Sequence, residues 1–171
     1  MKILIVGAGA IGTYLGVSLS VAGADVSYVE RNIPENFAKG IDLNVELPKK
    51  TIKQDFAKVY ATLKMACDKR EFDLILLAVK AYHIDFVIRD LLEYQNAFEA
   101  IACIQNGVDT EPAVKAAFPN KEVIALSLVT AVTRINRTHV RPEIIRGIVV
   151  DTNSQMGLEL FKLIQKTDMK A

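Results

Sequence analysis

"MKILIVGAGAIG", residues 1–12, runs from a continuous apolar stretch into three glycines, and those twelve positions decide the fold. Ile3 to Val6 has the unbroken apolar pattern of a parallel strand covered on both faces. The turn Gly7-x-Gly9-x-x-Gly12 follows; Ala10 to Ala22 then reads as a helix and Asp25 to Val29 as a second strand. Strand, glycine turn, helix and strand within about thirty residues is the length of one βαβ unit. An export signal competes with this reading. No charge lies between Lys2 and Asp25, and Ala22-Gly23-Ala24 resembles a small-residue cleavage site. Gly7, Gly9, Gly12 and Gly16, however, interrupt the apolar run where an export helix is continuous. A soluble, cytoplasmic chain is expected.

Each glycine of the turn has its own physical task. The first permits a tight bend, the second lets the backbone approach a pyrophosphate, and the third lets helix and strand pack closely. The pyrophosphate then lies over free amides at the helix N-terminus, where the dipole favours an anion. The segment Gly7, Ala8, Gly9, Ala10, Ile11 and Gly12 is therefore the expected dinucleotide-binding loop. Glu30-Arg31, at the end of the second strand, reads both ways. An acid there holds the ribose hydroxyls of NAD, whereas an arginine nearby accommodates the 2′-phosphate of NADP. NADP(H) and NAD both stay open at this point.

Farther along, weaker strand signals cover Ile41 to Leu47. Phe56, Val59, Tyr60, Leu63 and Cys67 fall at helical spacing and predict a helix between Gln54 and Asp68. "FDLILLAV" (72–79) and "AIACI" (100–104) read as buried strands, as does Val123 to Val129. Phe86, Val87, Leu91 and Leu92 mark a helix; another runs from Val108 to Phe118, closed by Pro119. Further β-structure is expected at Ile144 to Val150, then a helix through Met156, Leu160, Leu163 and Ile164 and a fraying end "KTDMKA". Alternation of this kind predicts an α/β domain with a doubly wound, mostly parallel sheet of the Rossmann type.

Half of the 171 residues are hydrophobic and the net charge is +1, so nothing marks a nucleic-acid or membrane surface. Cys67 and Cys103 sit in apolar surroundings and read as reduced, buried thiols. His83 and His139 are too few and too scattered for a metal site. Lys80 and Asn106 each fall just past a strand, at the edge where an α/β sheet holds its ligands. A lysine there offers a point charge or a proton, and an asparagine both donates and accepts. A solvated lysine and a tight Asn106-Gly107 turn are the plainer alternatives. Ser127 and Thr130 either line the cleft or satisfy local backbone groups.

Taken together, "MKILIVGAGAIGTYLG", "VERN", "DLILLAVKAYH" and "IQNGV" resemble the ketopantoate reductase family, the 2-dehydropantoate 2-reductases, over the chain up to about residue 130. The resemblance implies NADPH-dependent reduction of a small 2-keto acid to the 2-hydroxy acid, a step towards pantothenate and coenzyme A. It implies that Gly7, Gly9 and Gly12 bind the pyrophosphate, that Arg31 faces the 2′-phosphate, and that Lys80 and Asn106 border nicotinamide and substrate as catalytic residues. The chain departs from the family pattern at Asp109, where glycine is usual, and at the bulkier Leu126 and Leu128. Family members run to about twice this length, with a helical second domain that carries the general acid. Residues 1–171 are thus expected to form the dinucleotide-binding domain, inactive alone without that second domain. The readings left beside this one are another two-domain dehydrogenase, of the opine or glycerol-3-phosphate type, and a non-catalytic dinucleotide sensor. Oligomeric state stays open.

Overall fold

The computed structural model describes residues 1–31, 33, 40–105 and 109–170. Along the chain these form β1 (Lys2–Val6), α1 (Ala10–Val21), β2 (Asp25–Val29), β3 (Ile41–Leu47), β4 (Lys50–Tyr60), α2 (Leu63–Cys67) and β5 (Phe72–Leu77). Then follow α3 (Ile84–Leu92), β6 (Phe98–Cys103), α4 (Thr110–Ala117), β7 (Glu122–Leu128), β8 (Ala131–Arg134), β9 (His139–Ile144), β10 (Ile148–Val150) and α5 (Gln155–Ile164). The strands join in the order β10-β7-β6-β5-β1-β2-β4-β3-β9-β8. From β7 to β4 every neighbouring pair is parallel. Chain order reverses at β1, which has β2 on one side and β5 on the other, so a crevice opens beyond the carboxyl ends of β1 and β5.

Alternation along β1 builds both layers of the core. Ile3 and Ile5 join Tyr14, Leu15 and Leu160 on one face. Leu4 and Val6 join Val87, Leu91 and Val114 on the other. A strand whose successive side chains are buried on opposite faces has no room for polar residues, which explains its unbroken apolar run. Doubly wound α/β architecture, as the patterning predicted, is what the chain adopts.

The uncharged stretch that resembled an export signal has a structural cause. In α1 every residue from Gly12 to Leu19 is buried. Beyond β2 the sheet curls, and β3, β4, β8 and β9 also pack against this helix. A helix enclosed all round is hydrophobic all round. Each of its leucines contributes about 2 kcal/mol on burial. Among the described residues no helix is long and apolar enough to cross a membrane.

Four expectations need correction. Residues 54–60 are strand, not helix; only Leu63–Cys67 is helical. The helical spacing was fortuitous, because a bulge in β4 breaks the two-residue alternation that would have revealed a strand. At the bulge Phe56 takes φ 53° and is 77% exposed, and its N–H donates to Asp42 Oδ1 at 3.1 Å. The expected 144–150 strand is two elements: β9 ends at Ile144, and β10 pairs antiparallel with β7. β8 and β9 had no separate signal, since an edge hairpin is short and polar. On α3 the buried residues are Ile84, Val87, Ile88 and Leu91, while Phe86 and Leu92 are exposed. The end "KTDMKA" is pinned rather than frayed. Met169 is 4% exposed, the Ile148 N–H donates to the Lys170 carbonyl at 2.8 Å, and Asp168 pairs with Lys50 at 2.9 Å. The helix expected from Val108 begins at Thr110; Val108 itself lies outside the described residues.

Both cysteines are free, Cys103 buried and Cys67 partly so. Burial pushes the Cys103 thiol up to about 12 and the Cys67 thiol up to about 11, so both stay protonated and inert at neutral pH.

Candidate functional site

Backbone geometry at the end of β1 carries the three glycine tasks. Gly7 has φ 103°, and a Cβ there would lie 3.0 Å from Val79 Cγ1 and 3.1 Å from the Val79 backbone nitrogen. Its own N–H donates to the Val29 carbonyl at 2.9 Å, tying the loop to β2. Gly9 precedes α1 as its cap residue, and its carbonyl accepts the Thr13 N–H at 2.9 Å. A Cβ on Gly9 would meet nothing within 4 Å. At Gly12 it would overlap the Gly7 carbonyl oxygen, so helix and loop approach as closely as glycine allows. Since no side chain caps α1, its first-turn amides at Ala10, Ile11 and Gly12 have no acceptor from the cap.

Two cavities with shared lining residues lie beside this loop. The larger, about 510 Å3, is bounded by Gly7, Gly9, Glu30, Arg31, Lys80 and Phe86. The smaller, about 200 Å3, begins at Ala8 and shares Glu30, Arg31 and Arg134 with it. The crevice predicted from strand order is therefore present, and the fold brings the glycine loop, Glu30, Arg31 and Lys80 together there.

Glu30 and Arg31 do not pair with each other. The Glu30 N–H donates to the Tyr60 carbonyl at 3.0 Å, which extends the β2–β4 ladder to the cleft. The Arg31 guanidinium instead lies 4.8 Å above the Phe86 ring, a cation–π contact that holds it over the cleft. Phe86 lies off the buried face of α3, so its ring is open to this contact. Lys80 follows β5 in extended conformation; its carbonyl accepts the His83 N–H at 2.9 Å, and its side chain stays exposed at the cleft. His83 reaches the larger cavity as well, its ring tilted 60° against that of Tyr82 with centroids 4.5 Å apart.

Asn106, with Gly107, lies outside the described residues. Its neighbour Gln105 was not singled out in the sequence, yet it braces this edge. Gln105 is 8% exposed and its Nε2 donates to the Leu77 carbonyl at 2.6 Å and the Val79 carbonyl at 3.0 Å. The end of β6 thereby grips the segment that leads to Lys80. Gln105→Leu removes both bonds at nearly equal volume, and the expected loss of stability is about 2 kcal/mol. Urea unfolding measures it; an unchanged midpoint would show that the two carbonyls find other donors.

Ser127 and Thr130 part company. Thr130 Oγ1 accepts the N–H groups of Arg146 and Gly147 at 3.1 and 3.2 Å, so it serves the backbone. Ser127 lines a separate cavity of about 380 Å3 beside Gln105, Glu111 and Asp151. His139 is on β9, 3.5 Å from Glu46, away from the cleft. Among the described residues no group of acids, histidines or cysteines could hold a metal ion. Sequence reasoning missed Arg134 and Arg137, which reach the smaller cavity from the β8–β9 hairpin. No local signal marks them, because the curl of the sheet is what carries the hairpin to the loop.

Comparison with known proteins follows the same lines. The model of the family described as ketopantoate reductase PanE/ApbA matches residues 3–152. An uncharacterized oxidoreductase of Bacillus subtilis is 30% identical over 124 residues, 72% of this chain and 39% of that protein. A 2-dehydropantoate 2-reductase of Archaeoglobus fulgidus is 31% identical over 111 residues, 64% of this chain and 34% of that one. Among solved structures, a 2-dehydropantoate 2-reductase from Geobacter metallireducens superposes with a TM-score of 0.83 at 22% identity, covering 99% of this chain and 57% of that chain. The chain thus spans little more than half of that structure, and its matches cover less than half of either curated relative.

Proposed function

The chain belongs to the ketopantoate reductase family, and we propose that it forms the dinucleotide-binding part of an NADPH-dependent reductase that converts a 2-keto acid, ketopantoate foremost, into the 2-hydroxy acid. The observation that carries this reading is a cleft at the strand-order reversal, lined at once by the glycine loop, Arg31 and Lys80.

The loop fits a dinucleotide. Open space over Gly9 and uncapped amides at the start of α1 leave room and donors for a pyrophosphate. Gly7 to Gly12 would hold that group, and Arg31 the 2′-phosphate. When bound, NADPH supplies the hydride. Lys80, at the mouth of the cleft, would place its ammonium against the carbonyl oxygen of the keto acid and stabilise the charge that develops there. Asn106 is assigned by family resemblance to the border of nicotinamide and substrate. The proton for the alkoxide, and a second wall for the substrate, are assigned to the helical domain implied by the same resemblance. Residues 1–171 are then expected to bind the cofactor on their own.

A second reading rests on Glu30, which borders both cavities and makes no ion pair among the described residues. It would hold the ribose hydroxyls of NADH. Fluorescence titration of the chain with NADPH and NADH in parallel separates the two. Tighter NADPH, by about tenfold or more, supports the reductase proposal. A preference for NADH supports the second reading, and binding of neither would make the glycine loop a structural turn.

A further inference from the structure

We propose that Arg134, at the end of β8, is a specificity-determining residue that binds the 2′-phosphate of NADPH together with Arg31. The inference rests on the dinucleotide reading above and deepens it.

Arg31 and Arg134 are far apart in sequence and both line the smaller cavity and the larger cleft. Arg137, which follows β8, faces the smaller cavity as well. Among the described residues Glu30 is the one acid lining the smaller cavity, and it lies within ion-pair distance of neither Arg31 nor Arg134. Arg31 and Arg134, neither of them ion-paired with a carboxylate among the described residues, leave a positive field there, which self-repulsion opposes and a bound anion relieves. Arg134 is also only partly committed. Its Nε–H donates to the Asn136 carbonyl at 3.3 Å, and no hydrogen bond or ion pair among the described residues holds its Nη groups. Those Nη groups can donate to phosphate oxygens in the forked geometry for which arginine is suited.

The shape of the cavity decides which anion. At about 200 Å3 it takes one end of a dinucleotide rather than a whole drug-sized molecule, which needs roughly 300 Å3 or more. Ala8, from the glycine loop, forms one wall; Ile41, Leu43 and Val59 give an apolar floor for a flat base. A base on that floor, with its pyrophosphate over α1, puts the adjoining ribose between Arg31 and Arg134. The anion carried there is a 2′-phosphate. The pyrophosphate is already accommodated by the glycine loop, at the other side of Ala8.

Arg134 is exposed, so its replacement leaves the core untouched. Arg134→Ala and Arg134→Gln are titrated with NADPH, NADH, adenosine 2′,5′-bisphosphate and 5′-AMP. Both variants are expected to bind NADPH and the bisphosphate about tenfold more weakly, the loss of one charge-assisted contact. NADH and 5′-AMP should change by less than about twofold, which also reports an intact fold. Equal losses for both members of each pair, or none, while Arg31→Ala alone abolishes the preference, would overturn the role of Arg134 and leave the dinucleotide reading standing. Failure of the unaltered chain to prefer NADPH over NADH overturns NADPH selectivity itself, and this role with it.

Discussion

Gly9→Val is expected to weaken NADPH binding by about a hundredfold or more while lowering the melting temperature by only about 2–4 °C. The separation follows from where a side chain would go. Gly9 has φ −74° and ψ −166°, an extended conformation that any residue adopts, and its Cβ would meet nothing within 4 Å. Folding therefore loses only the difference between glycine and valine as a helix cap, about 1 kcal/mol. Binding loses far more. The isopropyl group fills the space over the first-turn amides and holds the pyrophosphate off at least two charge-assisted hydrogen bonds, each contributing about 1.5–3 kcal/mol. Paired fluorescence titration and thermal melts read both effects. Undiminished affinity would show that the pyrophosphate is not bound over α1.

Gly12→Ala, by contrast, should cost stability and binding together. A methyl group at Gly12 would overlap the Gly7 carbonyl oxygen and lie 3.0 Å from Ile5 Cγ2. Neither the oxygen nor the β-branched side chain can yield without moving β1 or the loop. Overpacking of this severity costs about 3 kcal/mol, at the upper end of the usual range. Alanine recovers about 1 kcal/mol of helix propensity, so the clash wins by about 2 kcal/mol. In a domain of this size that is a fall of about 4–8 °C in melting temperature. Displacement of α1 also misaligns the amides, so NADPH binding should fall by about tenfold or more. A variant that melts like the parent and binds as well would mean that loop and helix are less tightly apposed than the backbone positions require.

The two glycines show how a motif with one meaning in sequence separates into distinct physical tasks in three dimensions. Gly9 is open toward the cleft and Gly12 is closed against its own loop. Spacing alone suggested that division, because each position in the turn has a fixed relation to the strand before it and the helix after it.

Other parts of the chain were legible to different degrees. β5 and β6, buried on both faces, were plain from continuous apolar runs. β4 was misread because Phe56, turned outward at a bulge, lands at helical spacing from Val59, Tyr60 and Leu63. The fraying predicted for the last residues ignored a contact made from β10: the Ile148 N–H captures the Lys170 carbonyl, and Met169 enters the core. Of the candidate site residues, Arg31 and Lys80 could be placed at the cleft because each sits just past a strand of the parallel sheet. Gln105 sits there too, and what escaped notice was its amide reaching across to the carbonyls of Leu77 and Val79.

Residues 1–31 specify strand, turn, helix and strand by local rules: apolar continuity, glycine spacing and the position of Glu30-Arg31. Those rules act over a few residues, so they survive without knowledge of the rest of the chain. Long-range curl is of another kind. It wraps β3, β9 and β8 over α1, makes that helix hydrophobic on every side, and delivers Arg134 to the cavity beside Ala8 and Arg31. No window of sequence contains both arginines, and the strand pairings that join them, β2 to β4, β4 to β3, β3 to β9 and β9 to β8, exist only once the sheet has closed around the helix.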